Sequence, residues 1–203
     1  QLCRDAFGSV DILVSAAGIA GPIGPVEEAD PAAWRRTLDV NFTAAFYFIQ
    51  AVLPLMKSQR RGKIITLSGG GAGNPRPMYA AYAASKAALV RLTETVAEEV
   101  KEFNIQVNAL APGAVNTRML DDMLAAGRKT GGEYDKLREQ QKSGGVPPER
   151  AAALAVFLAS DRSNGLTGRL ISAVWDDWAT WTADDITRIQ TSELYTLRRI
   201  NPR

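Results

Sequence analysis

Short apolar runs separated by long helical stretches constrain this chain more than any other feature. Residues 10–15 (VDILVS), 63–67 (KIITL), 104–110 (NIQVNAL) and 168–174 (GRLISAV) read as buried strands, each bounded by glycine, proline or other small residues. Between them, residues 31–58 read as a long helix. Asp30 is its N-cap, Pro31 takes the first helical position, and Trp34, Leu38, Phe42, Phe46 and Ile49 fall near one face. Gly62-Lys63 is expected to break it. Residues 79–103, rich in Ala, Leu and Glu, form a second long helix. Strands alternating with helices need crossover connections, so the strands must pair in parallel with helices on both faces. The expected fold is α/β, a doubly wound parallel sheet.

The rest of the chain is read in the same terms. Residues 1–7 resemble the last turns of a helix ended by Gly8-Ser9. Beyond Arg118 the pattern loosens around Gly127, Gly131, Gly132, Gly144 and Gly145, so residues 118–146 are expected to be a mobile flap over a substrate. A helix restarts at Pro147-Pro148 and runs to about residue 160. In the tail, residues 175–203, Trp175, Trp178 and Trp181 recur every three residues, compatible with one helical face and with core or subunit packing. No repeat or second domain is visible, and residues 1–203 are taken as a single domain.

Composition removes whole classes of chemistry. The chain has no histidine, which excludes serine–histidine hydrolysis, imidazole bases and histidine metal sites. Its one cysteine, Cys3, permits no internal disulfide and no thiolate zinc site, so no metal is expected and a reducing cytoplasm fits best. A net charge of +2 with scattered Lys and Arg argues against a nucleic-acid or membrane partner. No apolar run approaching the roughly 20 residues of a membrane helix is apparent. Acid–base work must fall to Tyr, Lys, Asp, Glu or the lone Cys.

Tyr82 and Lys86 lie four apart in the second long helix and so project from one face. A phenol with a pKa of about 10 is a poor base at neutral pH, and a nearby ammonium lowers it. A bare pair at this spacing equally describes a half-buried aromatic beside a solvated charge. Context separates the two. Tyr82-Ala83-Ala84-Ser85-Lys86 follows a strand ending in Ser68 and precedes a strand ending in Pro112-Gly113-Ala114-Val115-Asn116-Thr117. In this order the motifs resemble the short-chain dehydrogenase/reductase family, over residues 10 to about 174.

That resemblance implies a Rossmann-like fold and a hydride transfer between NAD or NADP and a small-molecule secondary alcohol or ketone. Tyr82 would be the general acid/base. Lys86 would depress its pKa and hydrogen-bond the nicotinamide ribose. Asn41 resembles the helix asparagine whose backbone carbonyl holds a water linking the lysine to solvent; it also reads as an ordinary buried asparagine. Ala16-Ala17-Gly18 resembles the small-residue turn against the adenosine side, though Ser15 and Ala16 replace the family's asparagines. Pro112, Gly113, Val115 and Thr117 resemble the segment that holds the nicotinamide carboxamide. The family commonly pairs its two long helices across a twofold axis, implying a homodimer or homotetramer.

Two departures stand out. Counting back from Tyr82, the family's substrate-orienting serine falls on Gly69. Either the loop Gly69-Gly70-Gly71 absorbs one extra residue and leaves Ser68 to act, the preferred reading, or the serine is lost and another donor replaces it. The family's opening strand, glycine-rich turn and pyrophosphate-binding helix are also missing from these 203 residues, so the fold is expected to be N-terminally incomplete and this stretch alone inactive. A non-catalytic nucleotide-binding or assembly protein on the same scaffold is the alternative, and dehydratase or epimerase chemistry on nucleotide sugars a third possibility.

Overall fold

A computed structural model describes residues 2–198. Four parallel strands, β1 (Ile12–Ser15), β2 (Gly62–Leu67), β3 (Ile105–Ala111) and β4 (Leu170–Ser172), lie side by side in chain order. The register pairs Ser15 with Thr66, Leu67 with Leu110 and Ala111 with Ser172, so every strand ends at one edge of the sheet. The connections leaving that edge hold all the residues singled out for chemistry, where open α/β sheets bind their ligands.

Strands β2 and β3 are buried along nearly their whole length, which is why they are continuous apolar runs rather than alternating ones. Adjacent residues point to opposite faces. Ile64 and Val107 pack with Ile49 and Met56 of α3 (Ala44–Gln59) and Val96 and Val100 of α4 (Ala80–Val100). Ile65, Leu110 and Ile171 pack on the other face against Leu154, Phe157 and Leu158 of the helix at Pro148–Ala159. Helices on both faces make the sheet doubly wound.

A short helix, α1 (Leu2–Phe7), precedes β1; the first long helix is α2 (Pro31–Leu38), one wide turn at Asp39–Thr43 in which the Ala44 amide reaches back five residues to the Asp39 carbonyl, and then α3. Asp30 caps it by accepting from the Ala33 amide at 2.8 Å. The helix ends on Arg60, left-handed at φ 52°, and not on Gly62. Gly62 opens β2, where a Cβ would come 2.5 Å from Met56 Sδ, so close packing of strand on helix is what selects glycine there.

The buried stripe of this helix is Thr37, Asn41, Ala45, Ile49 and Met56. The stripe expected from apolar spacing is therefore rotated. Small and polar residues are buried, Asn41 against α4, while Phe46, Tyr47 and Phe48 stay exposed. Because the wide turn does not interrupt the helix, residues 31–59 form a single rod of 29 residues with a mean hydropathy of 1.3 over its most apolar window. By length and composition that is enough to cross a bilayer, contrary to the sequence expectation. The rod packs on β1, β2 and α4.

Residues 118–146 are helical rather than loose. They form α5 (Arg118–Ala125), 3₁₀ turns at Gly127–Glu133 and α6 (Tyr134–Ser143), followed by α7, the Pro148–Ala159 helix. Their glycines are joints: Gly127, Gly131, Gly144 and Gly145 all have positive φ.

The tryptophans of the tail do not share a helical face. Trp178 and Trp181 pack on Phe157, with ring centroids 5.8 and 6.3 Å away, whereas Trp175 is 85% exposed. Only a 3₁₀ turn, Trp178–Thr180, joins them, because the chain is reversing from β4 toward α8 (Ala183–Gln190). Thr182 starts α8 with a capping box to Asp185. Residues 199–203 of the tail lie outside the described residues.

Candidate active site

Tyr82 and Lys86 occupy the first turns of α4 and are both buried, at 6% and 3% exposure. Lys86 Nζ donates to the carbonyl of Leu67, the last residue of β2, at 2.7 Å and lies 5.8 Å from the centroid of the Tyr82 ring. The turn after β1 closes in from the other side. A Cβ on Gly18 would stand 3.4 Å from Lys86 Nζ and 3.5 Å from Asn41 Oδ1. Thus Gly18, Asn41, Tyr82 and Lys86, far apart in sequence, share one corner. Ala16 and Ala17 precede them, exposed at the end of β1.

Asn41 sits in the wide helical turn, a local widening that aims a side chain out of the ordinary ladder. Its Oδ1 accepts from the Ile19 amide at 2.8 Å, and its Nδ2 donates to the Ile19 carbonyl at 3.0 Å and to Ser85 Oγ at 3.0 Å. Ser85 in turn donates to the Tyr82 carbonyl at 2.7 Å. The asparagine side chain therefore ties the turn after β1 to the helical turn bearing Tyr82. Sequence reading treated only its backbone carbonyl and did not single out Ser85, which looks like an ordinary small helix residue.

The loop after β2 brings Gly69 against the phenol. A Cβ on Gly69 would run into Tyr82 Oη, so position 69 is the one that faces the phenol. Ser68 Oγ is buried and makes no hydrogen bond within the described residues.

Electrostatics differ from expectation as well. Burial pushes the Tyr82 phenol above its ordinary value, and the charge opposing that rise is Arg76, not Lys86. Arg76 and Glu133, which sequence reading missed, form an ion pair beside the site. They are 57 residues apart and carry no local signal.

Burial also pulls the Lys86 ammonium from 10.5 to about 8. It does the same to Lys63, also to about 8 against the opposing charge of Asp161, where Nζ donates to Ser163 Oγ and Asn164 Oδ1. Between about pH 8 and 10.5 the unfolded chain holds protons on these lysines that the native state lacks, so stability rises with pH. Tyr79, raised by burial from 10.0 to about 12, acts oppositely. Above about pH 10 the unfolded chain loses a proton that the native state keeps, and stability falls. Urea unfolding should show stability climbing from pH 8 by on the order of 1–3 kcal/mol and declining above pH ~10. Lys63→Met should flatten the climb; a steady fall from pH 8 onward would contradict the assignment.

After β3, Pro112 and Gly113 turn the chain, Gly113 at φ 85° with Val174 packed where a Cβ would be. Val115 bridges to Gly145, and Thr117 is the exposed N-cap residue of α5, beside an open depression of about 290 Å³. From Thr117 the chain folds back so that Leu120 and Met123 of α5 and Leu137 of α6 pack with Tyr79 and Tyr82. The 118–146 segment thus covers the phenol.

These residues fit the nicotinamide half of a dinucleotide: Gly18 leaves a cradle against Lys86 and Asn41 that a larger residue would fill. Lys86 would hold the ribose, residues 112–117 the carboxamide, and the Ala16–Gly18 backbone the adenosine side. Among the described residues no group of three or more His, Cys, Asp or Glu is placed to hold a metal.

The chain as a whole is similar to known proteins. A sequence family described as "Enoyl-(Acyl carrier protein) reductase" matches residues 1–173. "Short-chain dehydrogenase/reductase cdmF" of Talaromyces verruculosus is 34% identical over 88% of this chain and 72% of its own length. The solved structure of an NAD⁺-bound xylitol dehydrogenase aligns with TM-score 0.74 and 31% identity over 84% of this chain and 70% of that one. A gluconate 5-dehydrogenase from Burkholderia cenocepacia J2315, in complex with NADP and tartrate, aligns with TM-score 0.73 and 29% identity over 84% and 66%. The chain thus spans about two thirds to seven tenths of these relatives' lengths.

Proposed function

Because this chain belongs to the short-chain dehydrogenase/reductase family, we propose that the protein transfers a hydride between NAD or NADP and a secondary alcohol or ketone. The observation that carries the reading is the corner of Tyr82, Lys86, Asn41 and Gly18 at the C-terminal ends of parallel strands. Bound nicotinamide supplies or accepts the hydride. Tyr82 Oη handles the proton. Burial keeps the phenol protonated at neutral pH, so it donates to a carbonyl oxygen during reduction and recovers the proton from a hydroxyl in the reverse direction. Lys86 remains largely charged at neutral pH and anchors the strand end beside the phenol. The covering segment keeps water from Tyr82.

Gly69 leaves the substrate oxygen without the family's serine donor. Loss of one such donor elsewhere costs on the order of 10²–10³ in rate, so turnover should be slow or tied to a particular substrate. It also favours the second reading, a nucleotide-binding scaffold without turnover. Oxidation of NADH and NADPH by the full-length protein with a panel of ketones separates the two: ketone-dependent absorbance loss supports the enzyme, and none with any ketone supports the scaffold.

Self-association belongs to the same proposal. Phe46, Tyr47 and Phe48 are 39%, 60% and 55% exposed on adjoining positions of α3, an apolar patch of the kind that marks an interface. Sedimentation at micromolar concentration should give a dimer or tetramer, and Phe48→Glu should shift it toward monomer. Monomer alone in the parent protein would contradict the proposal.

A further inference from the structure

The proton-transfer machinery leaves one nearby cation unused. The Arg76 guanidinium carbon lies 4.1 Å from the Tyr79 ring centroid and 5.4 Å from that of Tyr82, and its side chain is only 16% exposed. Opposite the rings it grips Glu133 as a fork: Nε donates to Oε1 at 3.0 Å and Oε2 at 3.1 Å, and Nη2 to Oε2 at 2.8 Å. Glu133 belongs to the segment that lays Leu120, Met123 and Leu137 over Tyr82. A largely buried cation beside the Tyr82 ring is therefore neutralised by a carboxylate from the cover.

A substrate that displaced Glu133 beneath the closed cover would leave the guanidinium unpaired and shielded from water, which is costly unless the substrate itself supplies an anion. The planar fork suits a carboxylate best. The residues beside the two groups are glycines. Position 69 abuts Tyr82 Oη, and a Cβ on its neighbour Gly70 would stand 3.8 Å from Arg76 Nη1.

We propose that Arg76 determines specificity for an acidic substrate: a short keto or hydroxy acid whose carboxylate replaces Glu133 on the guanidinium while its carbonyl or hydroxyl oxygen meets Tyr82 Oη. The claim rests on the hydride-transfer reading for its chemistry and adds the substrate class. Glu133 acts as an internal competitor that closes the segment when no acid is bound.

Calorimetric titration of the protein with levulinate and with methyl levulinate, which differ in the charged carboxylate, tests this without turnover. Levulinate should bind at least about tenfold more tightly than the ester, a gap of ~1.4 kcal/mol. Glu133→Gln should tighten levulinate several-fold and leave the ester unchanged. Arg76→Met should erase the preference and Arg76→Lys retain part of it, because lysine keeps the charge but not the fork. Equal affinities, no binding of either compound, a preference that survives Arg76→Met, or weaker levulinate binding in Glu133→Gln would each overturn the proposal. Turnover separates it from the reading beneath. Levulinate bound through Arg76 while NADH and NADPH stay unoxidised would sink hydride transfer alone. Reduction of neutral ketones with no preference for the acid would sink Arg76 alone.

Discussion

Replacing Tyr82 with phenylalanine in the full-length protein should lower turnover by about 10²–10⁴-fold, the usual contribution of a positioned general acid, while cofactor affinity and thermal stability stay close to those of the parent. One hydroxyl is lost, and the ring keeps its packing against Leu120 and Met123. The drop should appear in kcat and kcat/KM alike, since the proton is transferred only as the reaction proceeds. Turnover retained in Tyr82→Phe would show that another group supplies the proton. A variant that had lost cofactor binding as well would show that the ring, and not the hydroxyl, is the essential part.

Asn41→Leu should produce the largest loss of stability of any single substitution near the site. The variant strands the Ile19 amide and carbonyl, which Asn41 satisfies together, and removes the bond to Ser85. Each buried group left unpaired costs about 1–3 kcal/mol, so a total of about 2–5 kcal/mol is expected. For a domain of this size that lowers the melting temperature by about 5–15 °C. Asn41→Asp should fall between, because it keeps the acceptor for the Ile19 amide and loses both donations. Calorimetry of the three proteins checks the order. An Asn41→Leu protein as stable as its parent would mean the clamp contributes nothing.

How far the fold was legible follows from where its signals are local. Residues 63–67 and 104–110 could be read as strands because a central parallel strand is apolar on both sides, and the structure moves their bounds by one residue, to Gly62–Leu67 and Ile105–Ala111. Residues 31–58 could be read as helix from Asp30-Pro31 and the long apolar stretch. Its buried face could not, because Thr37, Asn41 and Ala45 are buried while Phe46, Tyr47 and Phe48 face out, and the Thr37–Asn41 part packs on α4. Residue size misleads wherever close contact between helices favours small side chains. The glycines of residues 118–146 signalled looseness, yet they are the joints of short helices held by contacts with Tyr79 and Tyr82.

The candidate site was legible to the same extent. Tyr82 and Lys86 share a helical face four residues apart, so their pairing is local, and the turns at Gly18 and Gly113 announce themselves as strand ends. The choice between Ser68 and Gly69 was not local: it depends on which side of β2 faces α4. Burial raises the phenol and the charge opposing it is Arg76, which the Tyr82–Lys86 spacing does not point to. Arg76–Glu133 and Asn41–Ile19 are tertiary contacts between segments that nothing in the intervening sequence connects.

The central claim is that this corner serves hydride transfer with Tyr82 giving the proton. Its most direct test is reduction of a ketone by the full-length protein with NADH or NADPH deuterated at the transferable position, followed by mass and NMR analysis of the alcohol. The account predicts one deuterium on the carbinol carbon, on a single face, with the rate falling sharply in Tyr82→Phe. Product without deuterium at that carbon, or no product with either cofactor, would contradict it.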